Sequence, residues 1–79
     1  MNVRVLLFAG LAQRAGVREW TIELPSEATV TTLRAALESL HPWLREVPVA
    51  MARNQSLARG DERVAAGDEL ALLPPVSGG

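Results

Sequence analysis

The 79-residue sequence contains no cysteine and no lysine, a single histidine, and only three aromatic residues, two tryptophans and one phenylalanine. Without cysteine the chain forms no disulfide and offers no thiolate to a metal. Without lysine it has no side-chain amine, because all eight basic residues are arginines. A lone imidazole, His41, with no cysteine and no second histidine, is a poor metal ligand. The serines have no matching triad, so the expected count of metal sites and nucleophile–base pairs is zero. An excess of one charge is also lacking. The net charge of −1 makes no case for nucleic acid or an anionic membrane as a partner. No apolar run approaches the ~20 residues that span a bilayer, and no signal peptide precedes the first apolar segment. The cytoplasm is the expected address.

What is present is an ordinary globular composition, 48% hydrophobic and 22% charged, in a length that holds one small domain. Val3 to Phe8 is rich in strand formers. With Arg4 turned to solvent, alternation places Val3, Val5 and Leu7 on a core face and leaves Leu6 and Phe8 on the outer one. That outer pair is either covered by a loop or part of a docking surface. Gly10 to Val17 connects onward, with a helical turn near Leu11 to Arg14. Glu19, Thr21 and Glu23 then alternate with Trp20, Ile22 and Leu24, the signature of a half-buried antiparallel strand, and Pro25-Ser26-Glu27 ends it.

Thr29 is placed to cap a helix in which Val30, Leu33, Leu37 and Leu40 recur at helical spacing. Pro42 stops that helix near Leu40. His41 to Leu44 reads as irregular, with Trp43 a packing residue. Val47 to Met51 reads as a short strand, Arg53 to Ser56 as a turn, and Leu57 stands among polar neighbours. Gly60-Asp61 and Gly67-Asp68 mark turns. The pairs Asp61-Glu62 and Asp68-Glu69 do not converge on a cation, because neighbours on a strand point to opposite faces, and they are expected to be solvated turn charges. Glu69 to Leu73 is the last strand, with Leu70 and Leu72 inward and Ala71 and Leu73 outward.

This order predicts an α+β chain, a mixed sheet of four to five strands with one main helix across one face: the β-grasp, or ubiquitin-like, arrangement. Residues 1–73 form the domain and 74–79 an extended tail. If first and last strands are parallel neighbours, Phe8 and Leu73 share an outer face at the root of the tail, and Leu6, Ala71 and Leu57 extend an apolar patch. Such a patch usually takes a protein partner.

The tail, Pro74-Pro75-Val76-Ser77-Gly78-Gly79, has two stiff residues, two small ones and two glycines. The prolines cannot extend a central sheet, and nothing after them is bulky. At ~3.1 Å per residue, six residues reach roughly 18 Å. This is a slim arm suited to a narrow channel, with a carboxylate at its tip. A flexible terminus also ends in Gly-Gly.

Asn54-Gln55 through Gly67-Asp68-Glu69-Leu70 to that ending, together with Val3-Arg4-Val5-Leu6-Leu7-Phe8-Ala9, resembles the MoaD family, the small sulfur-carrier subunits of molybdopterin synthase. The likeness covers essentially the whole length, and the ending is its most specific part. Where members often carry Leu-Arg-Glu or Val-Arg-Glu after the first strand, this chain has Leu11-Ala12-Gln13, followed by Arg14. The resemblance implies that Gly79, supported by Gly78, is adenylated by a partner enzyme (MoeB-like) using ATP and converted to a thiocarboxylate. That sulfur goes to a cyclic pterin in the large (MoaE-like) subunit, within a heterotetramer. Phe8, Leu57, Leu73, Pro74, Pro75, Val76 and Ser77 would be the partner-binding residues. No cofactor is bound by the chain itself and no catalysis is its own, since it has no phosphate-cradling loop and no lysine to serve one. Carriers for thiamine biosynthesis or tRNA thiolation, ubiquitin-like modifiers, and an inert interaction module share parts of this pattern.

Overall fold

The computed structural model describes residues 1–75. The elements are β1 (Asn2–Leu7), α1 (Ala9–Ala15), β2 (Glu19–Glu23), α2 (Val30–Leu40), a 3-10 helix (Pro42–Glu46), β3 (Ala50–Arg53), β4 (Ser56–Leu57) and β5 (Glu69–Leu73). They form one five-stranded sheet in the order β2-β1-β5-β3-β4. β1 runs antiparallel to β2 and parallel to β5, and β5 runs antiparallel to β3. This is the β-grasp topology, with the last strand in the middle of the sheet.

Alternation decides the core. Val3, Val5 and Leu7 of β1, Ile22 of β2, Met51 of β3, and Leu70 and Leu72 of β5 are buried with Val30, Leu33 and Leu37 of α2. Each leucine so removed from water contributes about 1.5–3 kcal/mol. Helix α2 begins where Thr29 caps it: the Thr29 hydroxyl accepts from the Thr32 N–H, and the Thr29 N–H donates to the Thr32 hydroxyl, both at 3.3 Å. Two further first-turn N–H groups, which no intrahelical partner can satisfy, donate to the loop before β5. Val30 N–H reaches the Glu62 carbonyl at 2.9 Å and Thr31 N–H the Gly60 carbonyl at 3.0 Å. A Cβ on Gly60 would stand 2.5 Å from the Thr31 hydroxyl oxygen and would push it off its hydrogen bond to the Gly60 carbonyl.

Several expectations are corrected. The turn predicted at Leu11–Arg14 is a two-turn helix, α1. Its alanines are strong helix formers, buried Leu11 anchors it, and Gly16 ends it at φ +77°, donating to the Ala12 carbonyl at 2.9 Å. Leu40 belongs to the predicted apolar stripe but is 64% exposed. It is the last residue of α2, and the chain turns back there so that Leu44 of the 3-10 helix enters the core instead. The segment read as irregular, His41–Leu44, thus contains most of a helical turn. The strand predicted at Val47–Met51 is shifted to Ala50–Arg53, because Pro48 has no N–H to give a ladder. Ala71 lies on the outer face as expected, but it is only 7% exposed, since it is small and flanked on both sides by paired strands.

Asp68 is the remaining correction. Asn54 and Gln55 both have positive φ (52° and 70°) in a two-residue turn that joins paired Arg53 and Ser56. The Asn54 amide fastens this turn to β5: its nitrogen donates to Asp68 Oδ1 at 3.1 Å and its oxygen accepts from Glu69 N–H at 2.9 Å. Asp68 Oδ2 also accepts from Arg53 Nε and from Ala65 N–H, each at 2.7 Å. The Asp68 side chain is therefore a staple between two turns, and it is largely buried. Burial alone would raise its pKa, but the hydrogen bonds from Ala65, Arg53 and Asn54 together outweigh this and hold the carboxyl below its ordinary value. A depressed carboxyl stabilises the fold above its unfolded pKa and loses that contribution as pH falls through the folded one. Asp68→Ala should therefore lower stability at neutral pH by about 1–3 kcal/mol. The gap to the parent should close as the pH drops below 3.8, the usual aspartate value. Urea midpoints read by tryptophan fluorescence across the acid range test this; a gap independent of pH would refute it.

Candidate functional site

The parallel register brings the C-terminal ends of β1 and β5 together, with Leu6 opposite Ala71 and Leu7 opposite Leu72. Phe8, one residue on, is extended and level with Leu73. Across the outer face one row runs Leu6–Ala71–Ala52–Leu57, and the next places Leu73 opposite Ala50. Phe8 is 46% and Leu57 63% exposed, while Leu6 and Leu73 are half-buried. The core-forming side chains, and α2 with them, lie on the opposite face. The two outer apolar groups that the alternation left unassigned therefore belong to an open patch at the root of the tail. Pro74 and Pro75 follow β5, exposed and outside any strand. Val76, Ser77, Gly78 and Gly79 lie outside the described residues.

Further along the same face the surface changes to charge. Arg4 stands opposite Glu69 in the register and grips Glu19 with two bonds, Nε at 2.9 Å and a terminal nitrogen at 2.7 Å. Those bonds hold the Glu19 carboxyl below the usual carboxylate range and raise the arginine correspondingly. The apolar patch is thus bounded on one side by an ion pair and on the other by the emerging tail.

The sequence places Phe8, Leu57 and Leu73 on this outer face with Pro74-Pro75 at its edge, as the register does, but does not include Ala50 and Ala52. The alternation of small residues in Ala50-Met51-Ala52-Arg53, read with the Asn54-Gln55 turn as a register marker, carries that signal. Arg14, which follows Leu11-Ala12-Gln13, lies over the Trp43 ring at 4.8 Å from its centroid. Trp43 meets Trp20 edge-on at 6.3 Å, and His41 stacks on Trp20 at 3.9 Å, nearly parallel. These four side chains pack together away from the patch, so His41 serves there as an aromatic neighbour. Among the described residues no group of three His, Asp or Glu side chains is arranged to hold a metal, and no helix is long and apolar enough to cross a membrane. What this geometry offers is an open apolar platform with Pro74-Pro75 leaving from its edge.

A family model described as the ThiS family matches residues 5–79. The chain belongs to the ThiS family. The human molybdopterin synthase sulfur carrier subunit is 38% identical to it, the alignment spanning 99% of this chain and 94% of that one. Small archaeal modifier protein 1 of Haloferax volcanii is 41% identical over 92% of this chain and 95% of its own. The crystal structure of that modifier superposes with a TM-score of 0.83 over the full length of both chains. A chain from the protein–protein complex of subunits 1 and 2 of the molybdopterin-converting factor of Helicobacter pylori 26695 is 31% identical, with a TM-score of 0.68 and full coverage of both. In this ThiS-family chain the β-grasp body is shared along its whole length with sulfur carriers and protein modifiers alike.

Proposed function

We propose that this protein is the sulfur-carrier subunit of a molybdopterin synthase, acting in the cytoplasm as a donor that holds no catalytic machinery of its own. The observation that carries the reading is the placement of the arm: parallel pairing of β1 with β5 sets its root beside an exposed apolar patch. A partner that covers Phe8, Leu73 and Leu57 receives the following residues in a fixed direction. The full-length relatives that are sulfur carrier subunits, and the two-subunit Helicobacter complex, support the same assignment.

The chemistry follows from the terminal group. A C-terminal carboxylate is ionised at neutral pH and resists attack by sulfur. An adenylating partner of the MoeB type uses ATP to join the Gly79 carboxylate to AMP, releasing pyrophosphate. A sulfide ion then attacks the carbonyl carbon, the bond to the phosphate oxygen breaks, AMP leaves, and Gly79 is left as a thiocarboxylate. Pro74 to Gly78 carry that sulfur into the large subunit, where a cyclic pterin receives it. Two loaded carriers supply one dithiolene.

The test is intact-mass spectrometry after incubation with adenylating enzyme, ATP and a sulfur source. The expected product is heavier by the difference between one sulfur and one oxygen. An unchanged mass in a mixture that loads a known carrier would refute the reading. The Haloferax relative favours a second outcome, joining of Gly79 to amines of other proteins. Recovery of the chain in isopeptide linkage, with no transfer to pterin, would establish that one instead.

A further inference from the structure

β2 is the end strand of the sheet, and its outer edge is open. Leu7 N–H donates to the Arg18 carbonyl at 2.9 Å, and the same antiparallel register pairs Val5 with Trp20 and Val3 with Ile22. Opposed residues in an antiparallel ladder alternate between bonded and non-bonded pairs. Trp20 and Ile22 therefore turn their backbone groups to β1, while Glu19, Thr21 and Glu23 turn theirs away from the sheet. All three are exposed. Among the described residues no strand pairs with this edge, and no hydrogen bond takes those N–H and C=O groups.

Such a row of unpaired donors and acceptors is a template for another strand. The side chains beside it differ between the two faces. On the outer face lie Glu19, Glu23 and, further in, Glu69, and Arg4, which grips Glu19, offsets one of these three carboxylates. Arg18, with the parity of Trp20, belongs to the other face. There the neighbour is the half-buried indole of Trp20, with the His41 ring stacked on it at 3.9 Å. A second copy fits this edge badly. Antiparallel pairing of two β2 strands in full overlap centres on Thr21 and sets Glu19 of each copy against Glu23 of the other. Like charges directly opposite one another are destabilising.

We propose that the β2 edge binds an extended segment of a different protein by strand addition. That segment carries basic residues at positions i and i+4, facing Glu19 and Glu23, and apolar residues at i+1 and i+3, beside Trp20 and Ile22. The backbone groups supply affinity and the two carboxylates select the partner. β1 stands between this edge and β5, so edge and apolar patch can be occupied together. The inference does not depend on the chemistry of Gly79.

The probe is the peptide acetyl-Arg-Val-Thr-Val-Arg-amide, which reads the same in both chain directions and sets an arginine against each glutamate in either. The full chain, isotope-labelled, is titrated to millimolar peptide while its amide resonances are followed. The Glu19, Thr21 and Glu23 amides should move downfield and saturate, as free donors gain an acceptor. Acetyl-Glu-Val-Thr-Val-Glu-amide should bind about tenfold more weakly. In Glu23→Arg one end of the edge has reversed its charge, and the two peptides should bind with near-equal affinity. Equal binding of both peptides to the parent, or shifts centred on Phe8 and Leu73, would overturn the proposal. So would a Glu23→Arg chain that keeps the parent's preference. An unmoved spectrum would overturn it too, showing that Glu19 and Glu23 only guard the edge against pairing.

Discussion

Removal of Gly78 and Gly79 is expected to abolish sulfur delivery to the pterin, a loss of more than ~10³-fold, with no change in the unfolding midpoint. Among the described residues the buried core ends at Leu72 and the last strand at Leu73, before the truncation point after Ser77. A carboxylate remains at the new end, but it sits roughly 6 Å short at ~3.1 Å per residue. A displacement of ~1 Å in a reacting group already costs on the order of 10² in rate. Extra residues appended after Gly79 fail for a different reason, because the acyl carbon is then part of a peptide bond. Dithiolene formation with purified large subunit and loaded carrier is the measurement. Full rate from a chain ending at Ser77 would end the carrier hypothesis.

Phe8→Glu should weaken binding to the large subunit about 100-fold, equivalent to about 2.7 kcal/mol. Phe8 is nearly half exposed, on the face opposite α2, so the substitution should leave the isolated fold within a few degrees of the parent melting temperature. In the proposed complex the substitution would remove an aromatic anchor and bury an unpaired carboxylate. Leu57→Glu, at the far edge strand, should have a smaller effect in the same direction. Titration calorimetry against the purified large subunit distinguishes these cases. A Phe8→Glu chain that binds like the parent would show that docking uses another surface.

The fold was legible where burial and periodicity agree. Clean alternation in β1, β2 and β5, the Thr29 cap and the Pro42 stop leave little freedom, and the structure follows them. Legibility failed where a single neighbour decides the outcome. Leu40 has the right spacing for the core, yet whether the chain turns back beneath it depends on where Leu44 finds room. Asp68 reads as a turn charge until the Asn54 turn, fourteen residues away in sequence, is brought against it. The candidate site divides in the same way. Phe8 and Leu73 could be named from alternation and one assumed parallel pairing, whereas Ala50 and Ala52 required the register of β3. The chemistry at Gly79 comes from the ending and the family, not from periodicity.

The middle position of β5 has a consequence for how the protein is made. Among the described residues Glu69 to Leu73 is the last regular element to be synthesised, and both β1 and β3 wait for it. A chain stalled or cleaved before residue 69 is left with two half-sheets and an opened interior, a natural substrate for proteolysis. The sheet therefore closes only once Glu69 to Leu73 has been made, and a copy that ends before this strand lacks the pairings that join its two halves.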